Sequence, residues 1–176
     1  MRINGKTRSA LVGLGLAMLS FAGSSGVLAE EAGDCEGMKW SLAAEQAAFQ
    51  AEDLPKLASG AEEGALHETA FQLGLERKDK VELAVKPETY LVGDYAGTVR
   101  FAAPESPGLY QVTISSGGWI ELVQDGKAIE SSDHSGAPHC RGVKKSVRFE
   151  VEAKPVLLQL TGVVAPRINV AIRKVE

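Results

Sequence analysis

Gly108 to Asp125 reads GLYQVTISSGGWIELVQD, and its patterning decides the fold. Tyr110, Val112 and Ile114 alternate with Gln111, Thr113 and Ser115, the period of a strand with one face buried. Gly117-Gly118 then interrupts the run, and Trp119 to Val123 opens a second β-rich run. Glycines between two such runs supply the positive φ of a tight turn, so the stretch predicts a β-hairpin. A lone hairpin is marginal in water, which requires further strands to cover one of its faces.

The flanking sequence supplies them. Phe71, Leu73 and Leu75 alternate with polar or small residues, as do Val81, Leu83 and Val85. Val99 and Phe101 flank Arg100, and Val147, Phe149 and Val151 follow the same period. Val156 to Leu160 and Ile168, Val170 and Ile172 complete the series. Punctuation falls at Lys86-Pro87, Pro104 to Gly108, Asp125-Gly126, Ala153 to Pro155 and Gly162 to Pro166. About eight short strands without intervening helices predict a mainly β fold, an antiparallel β-sandwich of jelly-roll type. One short N-terminal helix precedes it: Ser41 is placed as N-cap, LAAEQAAFQAEDL holds strong helix formers, and Pro55 stops it. Asp53 to Gly64 reads as loop, so residues 30–64 form a helix and loop and residues 65–176 the sandwich, within one globular domain over 35–176.

The first residues bear on compartment. Arg2, Lys6 and Arg8 precede an uncharged run from Ser9 to Ala29 that closes on small residues, the order of a secretory signal peptide over residues 1–29. An uncleaved anchor is the rival, but Gly13, Gly15, Gly23 and Gly26 with three serines dilute the run's hydrophobicity. Export to the periplasm or beyond is the expectation, with no membrane span after cleavage. The leader holds three of the 19 basic residues and none of the 23 acidic ones, leaving 16 against 23 and a formal charge of −7. That field repels phosphate backbones and argues against nucleic acid as a partner. Two cysteines in an exported chain read as one disulfide, Cys35 to Cys140, with a redox or metal-binding thiol as the alternative.

GLYQVTISSGGWIELVQDG, HCRGVKKSVRFEV and LLQLTGVVAPRINVAI together resemble a group of small exported proteobacterial proteins of uncharacterised function. Their C-terminal part is similar in layout to the pre-peptidase C-terminal sandwich found beside secreted peptidases. Some members carry the label homogentisate 1,2-dioxygenase, an Fe(II) cupin enzyme with two histidines and a carboxylate on the metal. Carried over to this chain, that label points to Glu130, Asp133, His134 and His139, in ESSDHSGAPHC, as ligands for Fe or Zn. Cupin ligands project from barrel strands, whereas Ser-Gly and Ala-Pro predict a loop here, so spacing and length depart from the enzyme. No Gly-x-Ser-x-Gly elbow and no phosphate-binding glycine loop appears. The reading favoured on these residues is a non-enzymatic binding or accessory module without cofactor, taking an envelope glycan or protein.

Two features carry that reading. Trp119, with Tyr90, Tyr95 and Tyr110, forms a candidate aromatic platform for a sugar ring, set against the alternative that strand aromatics fill the core. Arg141, Lys144, Lys145 and Arg148 form a candidate basic patch for an anionic glycan or acidic partner, set against charge placed to block edge pairing.

Overall fold

Twelve strands and one helix make up the structured part of the computed structural model, which describes residues 35, 37–87, 92–136 and 138–175. The signal-peptide reading of residues 1–29, and Tyr90, lie outside the described residues. In chain order the elements are α1 (Ala43–Phe49), β1 (Lys56–Ala58), β2 (Ala61–Ala65), β3 (Thr69–Gly74), β4 (Glu76–Arg77) and β5 (Tyr95–Ala102). There follow β6 (Gly108–Ile114), β7 (Trp119–Gln124), β8 (Lys127–Ala128), β9 (Ser131–Gly136), β10 (Lys145–Val151), β11 (Val156–Val163) and β12 (Arg167–Lys174). One sheet runs β1-β3-β12-β6-β10-β9 and the other β2-β5-β11-β7-β8, with β4 on β5. Residues of both sheets, among them Phe71, Val112 and Ile114 from the first and Phe101, Leu122 and Leu158 from the second, join in one buried cluster. The protein is a β-sandwich.

The predicted hairpin is not one. β6 pairs with β12 and β10 in the first sheet, whereas β7 pairs with β11 and β8 in the second. Residues 115–118 therefore arch from one sheet to the other. Neither Gly117 nor Gly118 has a positive φ. The second glycine is required by space: a Cβ on Gly118 would lie 2.9 Å from Val163 Cγ2 and 3.3 Å from the Thr161 carbonyl oxygen. The tight two-residue turn comes one strand later, at Asp125 (φ 51) and Gly126 (φ 72), where β7 folds back onto β8. Period two reports that a strand has two different faces and says nothing of which sheet it joins.

A stability measurement separates the two geometries. Gly118→Ala is expected to cost about 1–3 kcal/mol, because the methyl meets a buried β-branched side chain and a backbone oxygen. Gly117→Ala, with nothing within 4 Å of its added carbon, is expected to be near neutral. Urea unfolding of the two variants checks this; equal losses would restore the turn reading.

Two further readings change. Residues 53–64 are not loop, since β1 and β2 pair in parallel with β3 and β5. A parallel pair needs a crossover, and the chain makes each by passing through the opposite sheet. The sheets are therefore mixed, not wholly antiparallel, and the sandwich begins at Lys56. Conversely, Val81 to Val85 joins no ladder. The backbone N–H groups of Ala84 and Val85 donate to Gln159 Oε1, and the Val85 carbonyl accepts from Gln159 Nε2, so a side chain of β11 satisfies this segment instead of a strand.

The helix is shorter than predicted and is capped differently. Leu42 occupies the N-cap position without a side-chain cap, and Ser41 Oγ lies 3.5 Å from the Ala43 nitrogen. Its inward residue is Glu45, 3 % exposed, which accepts from Gln111 Nε2 and pairs with Arg173 Nε at 3.0 Å. The Cys35–Cys140 disulfide is present and sits in a small cluster with Leu42 and Val143. Trp40 Nε1 donates to Ser146 Oγ at 3.2 Å, which in turn shares a proton with Thr113 Oγ1 at 2.8 Å. The segment from Cys35 to Phe49 thus straps the polar outer row of β6 and β10, and this is why Gln111, Thr113 and Ser146 are buried although they point away from the core.

Candidate functional site

β8 and β9 are edge strands of the two sheets, and residues 129–130 carry the chain from one to the other. A cleft of about 630 Å³ enters there, within the roughly 300–1,000 Å³ of small-ligand sites. Its inner wall is Ile120 of β7 with Val147 and Phe149 of β10, all core side chains. Its rim carries Trp119, Lys145, Lys86, Glu130 and His134, with the buried Glu121 behind them.

The arch builds this mouth. Trp119 begins β7 in one sheet and Lys145 begins β10 in the other. The Lys145 ammonium stands 4.1 Å from the centre of the Trp119 ring and donates to the Gly118 carbonyl oxygen at 3.3 Å. Burial holds the Lys145 ammonium below the ordinary lysine range. Glu121 is held by Gln159 Nε2, whose own oxygen holds the 84–85 backbone. One buried amide therefore ties the back of the cleft to the segment leading to Lys86.

The predicted site residues are redistributed. Of the aromatic set, Tyr110 is a core residue, 3 % exposed, with its hydroxyl donating to the Ser106 carbonyl; it is not part of a platform. The inward row of β6 takes it, as it takes Val112 and Ile114. Burial, and then the charge of Glu105, raises its phenol above the usual range. Tyr95 stacks under Arg77 on β5, away from the cleft. Of the predicted platform's described residues, Trp119 alone lines it.

Nor do the four basic residues form one patch. Lys145 shares the inward face of β10 with Val147 and Phe149, while Arg148 has the opposite parity and stacks on Trp40 with its Nε donating to Gln111 Oε1 at 3.0 Å. Lys144 donates to the carbonyls of Pro138 and Cys140 at 2.7 and 2.8 Å, closing the disulfide loop. Arg141 lies exposed in that loop, its carbonyl accepting from Gln46. Strand parity at 145 and 148 is a signal the sequence already holds.

The loop proposed for metal is also different. Ser131–Gly136 is strand β9, paired with β10, and not loop. Glu130 and His134 line the cleft, whereas Asp133 pairs with Lys39 and accepts from the backbone N–H of His134. Those two partners hold its carboxyl below the usual carboxylate range. His139 lies exposed in the turn before Cys140. Among the described residues no group of three or more His, Cys, Asp and Glu is placed to hold a metal ion. None of the described helices is long and apolar enough to cross a membrane. No family model, curated protein or solved structure matches the chain.

Proposed function

We propose that this chain is an exported, periplasmic binding module, non-enzymatic, that takes an envelope glycan in the cleft between the β8 and β9 edges. The observation that carries the reading is the half-buried Trp119 at the mouth of a cleft of about 630 Å³, with polar side chains on both sides and an apolar floor. A flat ring beside convergent hydrogen-bonding groups suits a sugar, whose C–H face packs on the ring while its hydroxyls meet the rim. Glu130 and His134 supply acceptor and donor at that rim. Three carboxylates are held by structural partners: Asp133 by Lys39, Glu45 by Arg173, and Glu121, at the back of the cleft, by Gln159.

Screening the purified protein on an array of envelope oligosaccharides, followed by calorimetry, tests the reading. Trp119→Ala is expected to weaken binding at least tenfold and Trp119→Phe to keep most of it. The reading fails if no glycan binds, or if Trp119→Ala binds as well as the parent.

A further inference from the structure

We infer that the glycan taken by this cleft carries a carboxylate, as a uronic-acid oligosaccharide does, and that Lys145 is the residue that recognises it. This rests on the glycan reading above and names its chemistry.

Residues 145, 147, 149 and 151 of β10 alternate toward the core, and Val147, Phe149 and Val151 are all buried in it. Position 145 ends that row, so its ammonium is drawn between the sheets at a desolvation cost. A cation placed there ordinarily comes with an acid beside it. Three lysines at the surface of this acidic protein have one: Lys39 has Asp133, Lys78 has Asp94, and Lys154 has Asp125 and Glu152, while Lys144 is held by the carbonyls of Pro138 and Cys140 in the disulfide loop. Lys145, more deeply placed than these, is paired with no carboxylate among the described residues. Its partners are an uncharged ring and a backbone oxygen. Both hold the ammonium at the cleft without neutralising it, the arrangement of a cation kept for an incoming anion.

The remaining charged groups select which anion. Glu121 and Glu130 share the cleft with Lys145, Lys86 and His134. Two acids in the same cleft, neither of them paired with the cation, repel a dianion such as phosphate more than a single carboxylate, and Glu130 at the rim accepts hydrogen bonds from ligand hydroxyls. A monoanionic, hydroxyl-rich ligand with a face for the Trp119 ring fits all of them together.

Calorimetry with an oligogalacturonide, its neutral methyl ester and inorganic phosphate tests this on the purified protein and on Lys145→Gln and Lys145→Arg. The acid form is expected to bind at least tenfold tighter than the ester, and to weaken as salt is raised. Lys145→Gln should bring acid and ester to the same affinity, while Lys145→Arg should retain preference for the acid. Removing an unpaired, half-buried charge is not expected to unfold the sandwich, and thermal melting of Lys145→Gln checks this. Equal binding of acid and ester by the parent overturns the inference and leaves the glycan reading standing. Preference for the acid that survives Lys145→Gln also overturns it, as does phosphate displacing the acid at equal concentration. Absence of binding to any sugar, with Trp119→Ala without effect, removes both.

Discussion

Replacing Cys35 and Cys140 together by serine is expected to lower the free energy of unfolding by about 4.7 kcal/mol, the chain-entropy value for a closed loop of about 100 residues. The bridge links positions 105 apart in sequence and so restrains most of the unfolded chain. It also fastens the strap: Cys35 opens the segment whose Trp40 and Glu45 cover Ser146 and Gln111, and Cys140 closes the β9–β10 connection beneath it. With the bridge gone, the strap is held by one short helix, the Trp40 stack on Arg148 and a few hydrogen bonds. Urea unfolding followed by tryptophan fluorescence measures the loss. A drop under about 1 kcal/mol would mean that the strap does not belong to the cooperative unit, since removing a native disulfide from a small secreted domain costs about 2–5 kcal/mol.

Glu45→Ala is expected to be the most damaging substitution on the helix, costing about 3 kcal/mol. Breaking a buried pair from one side strands the other partner, here Arg173 at 3.0 Å, and also removes the acceptor of Gln111 Nε2. The guanidinium is one-third exposed, which keeps the cost at the lower end of the range for such pairs. Pairing Glu45→Ala with Arg173→Met should recover most of the loss, because the stranded charge goes with its partner. The neighbouring Ala44→Ser, on the exposed face, serves as the control. If Glu45→Ala shifts the urea midpoint no further than that control, the pair is not what holds the helix down.

The layers of this molecule were legible because β3, β5, β6, β10 and β12 turn an apolar row to the core and show it as period two, and β11 shows a short apolar run. The short edge strands were not. KLA and AEEGA carry too few apolar residues to show a period, and they owe their conformation to β3 and β5 beside them. Val81 to Val85 shows a clean alternation, yet its backbone is satisfied by Gln159, a partner no local pattern reveals. The glycines between β6 and β7 misled for a definite reason: a glycine chosen for lack of a side chain reads the same as one chosen for positive φ. At Asp125-Gly126, where the φ values are positive, sequence and structure agree on a turn.

The site divides along the same line. Trp119 and Lys145 each stood out in the sequence, one as an aromatic beside a glycine pair and the other as a cation in an acidic chain. Their meeting depends on residues 115–118 crossing between sheets, which is tertiary information. Tyr110 and Arg148 could have been set aside earlier, since the first has the parity of Val112 and the second the parity opposite to Lys145. Glu45 gave no warning, because a glutamate in an alanine-rich helix is what a solvated face also contains.

The interleaving of the chain between the sheets bears on how the protein comes to be folded at all. Consecutive strands mostly land in opposite layers, so the ladders join distant residues, Ala171 beside Ala70 and Leu158 beside Val99. Among the described residues, pairing between neighbours in sequence is confined to β4 with β5, the short return of β7 onto β8 at Asp125-Gly126, and β9 with β10. The entropy of closing long loops is spent before most contacts repay it, which sets a slow, concerted acquisition of structure. Nascent chains of this design spend their vulnerable interval with both layers unassembled, and they reach their resistance to degradation in one step.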